Sequence, residues 1–101
     1  MNSFGERLKK LRDEKGAPLR IVAYHLGVDQ AVLSKIENGK RQATKKHVEL
    51  ISDYFNVPIK ELTIDWLSDK IIYDIVDEEF GIEALRVAEQ KVNYQKKRNV
   101  L

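Results

Sequence analysis

Cysteine is absent from this 101-residue sequence, which rules out a disulfide framework, a thiolate metal site and a cysteine nucleophile. Only two prolines interrupt a chain rich in helix formers, and no apolar run approaches the roughly 20 residues needed to span a bilayer. The opening Met1-Asn2-Ser3-Phe4-Gly5-Glu6 lacks the basic-then-apolar order of a secretory leader, so a cytoplasmic location, with the nucleoid, is expected. The two histidines, His25 and His47, have no zinc-ligand spacing, and neither a metal nor any other cofactor is expected. Asp77-Glu78-Glu79 are adjacent acids that point in different directions and read as a helix-ending charge cluster rather than as hydrolytic carboxylates. These absences argue against an enzyme.

What remains is 43% apolar and 34% charged, the composition of a folded globular chain large enough for one small core with an appendage. The net charge of +2 is unevenly spread. Residues 1 to 61 carry 12 Lys or Arg against 8 Asp or Glu, whereas residues 62 to 101 carry 6 against 8. A basic surplus in the first part fits a surface that approaches a polyanion, although many solvated surfaces have as much.

Local signals place the helices. Ser3-Phe4-Gly5-Glu6 has the capping-box pattern that starts helix one, along which Phe4, Leu8 and Leu11 recur at helical spacing until Gly16-Ala17-Pro18. Pro18 opens a second helix with Leu19, Val22, Ala23 and Leu26 inward. Gly27 is suited to a left-handed turn, and Asp29 is expected to accept amides of the helix it starts. That third helix, from about Gln30 to Asn38, turns Val32, Leu33 and Ile36 inward and leaves Gln30, Ala31, Ser34 and Lys35 as a short outer strip. A helix of this size fits the DNA major groove. After Gly39, a basic connector leads to Thr44, the expected cap of a fourth helix bearing Val48, Ile51, Tyr54 and Phe55. A short fifth helix is expected around Ile59 and Leu62. A strongly apolar sixth follows with Ile64, Trp66, Leu67, Ile71, Ile72, Ile75 and Val76, and a seventh carries Ile82, Leu85, Ala88 and Val92 before fading into Lys96-Lys97-Arg98.

Three segments together resemble the Xre/Cro/C1-type helix-turn-helix regulators: Arg7-Leu8 with Leu11-Arg12, Val22-Ala23 with Leu26-Gly27-Val28, and Leu33-Ser34-Lys35-Ile36-Glu37-Asn38-Gly39. The resemblance covers residues 4 to about 62. It implies an all-α, five-helix lambda-repressor-like domain over residues 1–62; the two further helices over 63–95 and the basic tail over 96–101 lie beyond it and are read from the sequence itself. It also implies a homodimer on a palindromic double-stranded operator. By position, Gln30, Ala31, Ser34 and Lys35 fall where the family meets bases: glutamine can pair with adenine, lysine can donate to guanine, and alanine can pack on a thymine methyl. The plain alternative is a solvated helix face. Asn38, Lys40 and Arg41 match the family's phosphate-gripping loop, and Lys45 and Lys46 extend it or form an ordinary charged first turn. Arg12 and Glu37 fall at the family's internal ion pair. At Leu19-Arg20 the sequence departs from members with a glutamine or threonine that bonds phosphate; Leu19 cannot make that contact, and Arg20 is the candidate replacement.

The C-terminal part more weakly resembles the extensions of regulators found beside restriction and modification genes. Its sixth helix is apolar around much of its circumference, so Trp66, Ile71, Ile72 and Ile75 are expected either to bury against a second subunit or to pack within the chain. Two functions are in competition. One is a sequence-specific transcriptional regulator, a repressor or autoregulator in a restriction-modification controller role or elsewhere. The other is an antitoxin-like protein that autoregulates its operon and binds a protein partner through the C-terminal helices.

Overall fold

The computed structural model describes residues 3–100, and among them all regular structure is helical. Six helices follow one another: α1 (Phe4–Lys15), α2 (Leu19–Leu26), α3 (Gln30–Glu37), α4 (Lys45–Phe55), α5 (Ile59–Ile75) and α6 (Gly81–Val100). Their ends follow from local chemistry. Ser3 stays extended and its Oγ accepts the Glu6 amide at 3.1 Å while donating to the Glu6 carboxylate. Gly27 adopts φ 69°, a left-handed turn open to glycine without Cβ strain, and closes α2 through bonds from the Gly27 and Val28 amides to the Tyr24 and Ala23 carbonyls. Thr44 and His47 form a reciprocal capping box at the start of α4.

The chain divides into two compact units, one running to Lys70 and the other beginning at Ile71. In the first, a single core draws a fully buried side chain from each of five helices: Leu8, Val22, Leu33, Val48 with Ile51, and Leu62. Each such side chain contributes about 1.5–3 kcal/mol of burial, so this core is the main force holding α3 in place. Gly5 lets α1 cross the end of α3 closely. A Cβ there would run into the carbonyl oxygens of Ile36 and Glu37.

Two expectations are corrected. The short fifth and the apolar sixth helix are one continuous 17-residue α5. No glycine or proline lies between Ile59 and Ile75, so nothing in the backbone chemistry ends the helix after Leu62. Groups on α1 also hold α5 well past that point. Arg7 bonds Glu61 at 3.2 Å and Asp65 at 3.1 Å, and the Phe4 amide donates to the Asp69 carboxylate at 2.7 Å. The second correction concerns the basic tail: α6 runs on through Lys96-Lys97-Arg98 to Val100, because these residues are good helix formers and complement the negative end of the helix dipole.

The second unit contains the end of α5, a turn and α6. The turn is tight: a Cβ on Gly81 would strike the Ile75 carbonyl oxygen. Beyond the buried Gly81, every side chain from Ile82 to Asn99 is exposed. No helix among the described residues is long and apolar enough to cross a membrane.

Candidate nucleic-acid interface

The candidate site is built on α3, an eight-residue helix held by its inner face. Leu33 and Ile36 are buried in the core and Val32 packs against it, so the opposite face has to point outward. Gln30, Ala31 and Lys35 are exposed there as one strip. Ser34 is half-buried, and its Oγ accepts a long, 3.5 Å bond from the Asn38 side-chain amide. Asp29 takes the extended N-cap conformation, but its carboxylate caps nothing, contrary to the sequence expectation. The first turn is closed by its backbone carbonyl, which accepts the Leu33 amide at 3.1 Å.

The far end of α3 is fixed by Arg12 and Glu37. The guanidinium meets the carboxylate in a two-pronged contact, Nε to Oε2 at 2.8 Å and Nη2 to Oε1 at 3.1 Å, and Nη1 donates to the Ala17 carbonyl at 3.2 Å. The Glu37 side chain is only 5% exposed and that of Arg12 16%. Hydrogen bonding to Glu37 raises the Arg12 pKa further above its ordinary value, outweighing the opposing effect of burial. One ion pair thus joins α1, the α1–α2 turn and the end of α3.

Beside α3 lies a short basic loop. Gly39 turns with φ 74°, the Lys40 amide donates to the Lys35 carbonyl at 2.8 Å, and Asn38, Lys40 and Arg41 are all exposed. The loop then dips inward at Ala43, which is buried, and enters α4 through the Thr44 cap. His47 Nδ1 accepts the Thr44 amide at 3.1 Å. Burial, and secondarily the nearby Arg41 charge, push the His47 pKa below its usual value and favour the neutral ring that this bond requires. Lys45 and Lys46 are exposed on the first turn of α4, with Lys46 4.0 Å from Glu49. Arg20 is exposed on the first turn of α2, while Leu19 packs against the core.

Trp66 is placed differently from Ile71, Ile72 and Ile75. It packs on the core of the first unit and its indole N–H donates to the Ala43 carbonyl at 2.7 Å, the packing within the chain that was one of the two expectations for it. Ile71 and Ile72 are exposed and Ile75 half-buried. The sequence reading also missed the contacts of Arg7 and Phe4 with Glu61, Asp65 and Asp69. The available signal was the acidic stripe itself, since residues spaced four apart share one helix face. Among the described residues no group of three His, Asp or Glu is placed to hold a metal.

Comparison with known proteins fits this geometry. A family model described as helix-turn-helix matches residues 8–62. The HTH-type transcriptional repressor RghR of Bacillus subtilis is 36% identical over 63 residues, 61% of this chain and 47% of RghR, so the match spans under half of that relative. Control protein C.MunI of a Mycoplasma species is 38% identical over 63 residues, 61% of this chain and 85% of C.MunI. A chain from the SinR protein/SinI protein complex superposes with a TM-score of 0.53 and 27% identity, covering 97% of this chain and 99% of that one. The chain therefore belongs to the helix-turn-helix family of Xre/Cro/C1 type, a family of DNA-binding regulators and not of enzymes.

Proposed function

We propose that the protein is a sequence-specific transcriptional repressor or autoregulator that binds a palindromic operator as a homodimer, with α3 in the major groove. The observation that carries this reading is the α3 face: Gln30, Ala31 and Lys35 stand exposed on a helix whose opposite side is locked in the core. Gln30 and Lys35 read base edges, and Ala31 packs on a thymine methyl. Ser34, half-buried and engaged with Asn38, contributes at the margin. Asn38, Lys40 and Arg41 grip phosphates on one side, extended by Lys45 and Lys46, and Arg20 does so from the start of α2. Similarity to a repressor and to a control protein supports the regulatory role, and a restriction-modification controller is one form it takes.

The homodimer is proposed from the second unit. Ile71, Ile72 and Ile75 on the end of α5, with Ile82, Leu85 and Val92 on α6, form more apolar surface than this small unit covers by itself. On a palindromic operator, the two α3 helices of a homodimer meet half-sites about 34 Å apart. A second reading, an antitoxin-like protein whose C-terminal helices hold a different protein, is favoured by the same exposed surface and by similarity to a chain solved within a two-protein complex. Both readings keep the DNA-binding face, and the protein is placed in the cytoplasm, at the nucleoid.

Fluorescence anisotropy with the DNA upstream of the protein's own gene, and with scrambled DNA of equal length, tests the reading at two salt concentrations. Wild type is expected to prefer the upstream DNA, and Lys35→Ala to lose about 1–3 kcal/mol of that discrimination while non-specific binding persists. Equal, weak and wholly salt-governed binding to both duplexes would overturn sequence-specific reading.

A further inference from the structure

The loop that carries Lys40 and Arg41 has no regular structure, yet phosphate contacts demand a fixed backbone direction. Its first residues are fastened locally, by the Lys40 amide to the Lys35 carbonyl. At its far end the Ala43 carbonyl accepts the Trp66 indole N–H at 2.7 Å. Among the described residues this is the only hydrogen bond between the loop and a helix distant in sequence. Trp66 is well suited to hold that carbonyl. It sits one turn after the fully buried Leu62, packs against the core, and has the Lys70 ammonium over its ring at 4.6 Å. Packing an aromatic ring on the core needs no N–H. The short bond to the one buried residue of the loop is therefore a separate feature with its own consequence, the direction of the peptide that leads back to Arg41.

We propose that Trp66 is a positioning residue for DNA binding: through the Ala43 carbonyl it sets the phosphate-gripping loop of Lys40 and Arg41, and takes no part in a subunit interface. This rests on the DNA-binding reading above. A loop positioned this way contributes affinity without sequence information, so its loss weakens binding to every duplex alike.

Trp66→Phe keeps the ring and deletes only the donor. With wild type and this variant titrated over a salt series on the upstream and the scrambled duplex, the variant is expected to bind both about fivefold to tenfold more weakly, with its discrimination ratio unchanged. The slope of log K against log salt should fall by about one, the mark of a lost phosphate contact, which a general loss of stability would not produce in folded protein. Arg41→Ala should also cost less in the Trp66→Phe background than in wild type. Unchanged affinity and slope in folded Trp66→Phe, or a loss confined to the upstream duplex, overturns the positioning role while leaving DNA binding intact. Failure of wild type to bind either duplex overturns both. If circular dichroism shows Trp66→Phe unfolded, the indole proton of wild type decides, since Trp66 is the only tryptophan. Its NMR signal should be protected from exchange and shift on adding duplex DNA, and a signal unmoved by DNA overturns the proposal.

Discussion

Replacing Arg12 with alanine should damage the protein as a folded object more than as a reader of sequence. The substitution deletes two hydrogen bonds to Glu37 and one to the Ala17 carbonyl, and leaves the Glu37 carboxylate, 5% exposed, without its cation. Removing one member of a buried pair costs about 3–5 kcal/mol, most of it from the stranded charge, and the partial exposure of Arg12 places this case near the lower end, about 3 kcal/mol. For a domain of this size each kcal/mol shifts the melting midpoint by about 4–8 °C, so a drop of more than about 10 °C is expected by circular dichroism. Replacing both residues, as Arg12→Met with Glu37→Leu, removes the stranded charge and should recover much of the loss. Because neither side chain lies on the exposed strip of α3, the ratio of operator to scrambled-DNA affinity should persist in whatever fraction of Arg12→Ala is folded. Unchanged melting together with lost discrimination would refute the argument and assign Arg12 to the DNA.

Gly5→Ala should cost about 1–3 kcal/mol of stability, read as a lower urea midpoint, since the added methyl meets backbone carbonyls of Ile36 and Glu37, which cannot move aside without shifting α3; a neutral substitution would show that α1 and α3 do not approach so closely. His47 has a folded pKa below its ordinary 6.5, so its contribution to stability is present above pH 6.5 and is lost as pH falls through the lower folded value. Urea unfolding at pH 7.5 and 5.5 should show that loss in wild type and a flatter response in His47→Gln, whose amide can still accept at the Thr44 cap; equal pH dependence would remove His47 from the cap energetics. Ile72→Asp should convert the proposed dimer to a monomer in sedimentation and, by uncoupling two half-sites, weaken operator binding about a hundredfold or more, whereas an unchanged sedimentation coefficient would remove Ile72 from any interface.

The parts of the fold legible in the sequence were those written in short-range chemistry. Ser3 and Thr44 cap helices because a hydroxyl can reach an amide three residues on, and Gly27 turns because glycine enters the left-handed region without a Cβ penalty. The α5 boundary was misplaced because a short fifth helix around Ile59 and Leu62 was set apart from the apolar run that follows, although no residue between Ile59 and Ile75 asks for a break. The same reasoning applies to Lys96-Lys97-Arg98, where charge suggested a tail but propensity continued the helix. Asp29 shows the limit of capping rules. The extended N-cap backbone formed as expected while the carboxylate left the amides alone, and a rule about residue preference does not specify the rotamer.

In the candidate site, helix periodicity alone assigned the strip of Gln30, Ala31 and Lys35, because any eight-residue helix with Leu33 and Ile36 in a core must present those residues opposite. Periodicity also separates Trp66 from the later isoleucines of α5, because at about 100° per residue Ile71, Ile72 and Ile75 stand about 120–180° around the helix from it. Grouping Trp66 with Ile71, Ile72 and Ile75 overlooked that offset, and also the donor that an indole carries and the isoleucines lack, since a packed indole N–H requires an acceptor. A subunit seam of isoleucines offers no acceptor in its side chains, whereas the loop entering α4 offers the free carbonyl of Ala43. The polar atom, not the hydrophobicity, therefore determines where Trp66 belongs. By that criterion Trp66 belongs to the core of the first unit, while Ile64, Leu67, Ile71 and Ile72 stay exposed on α5.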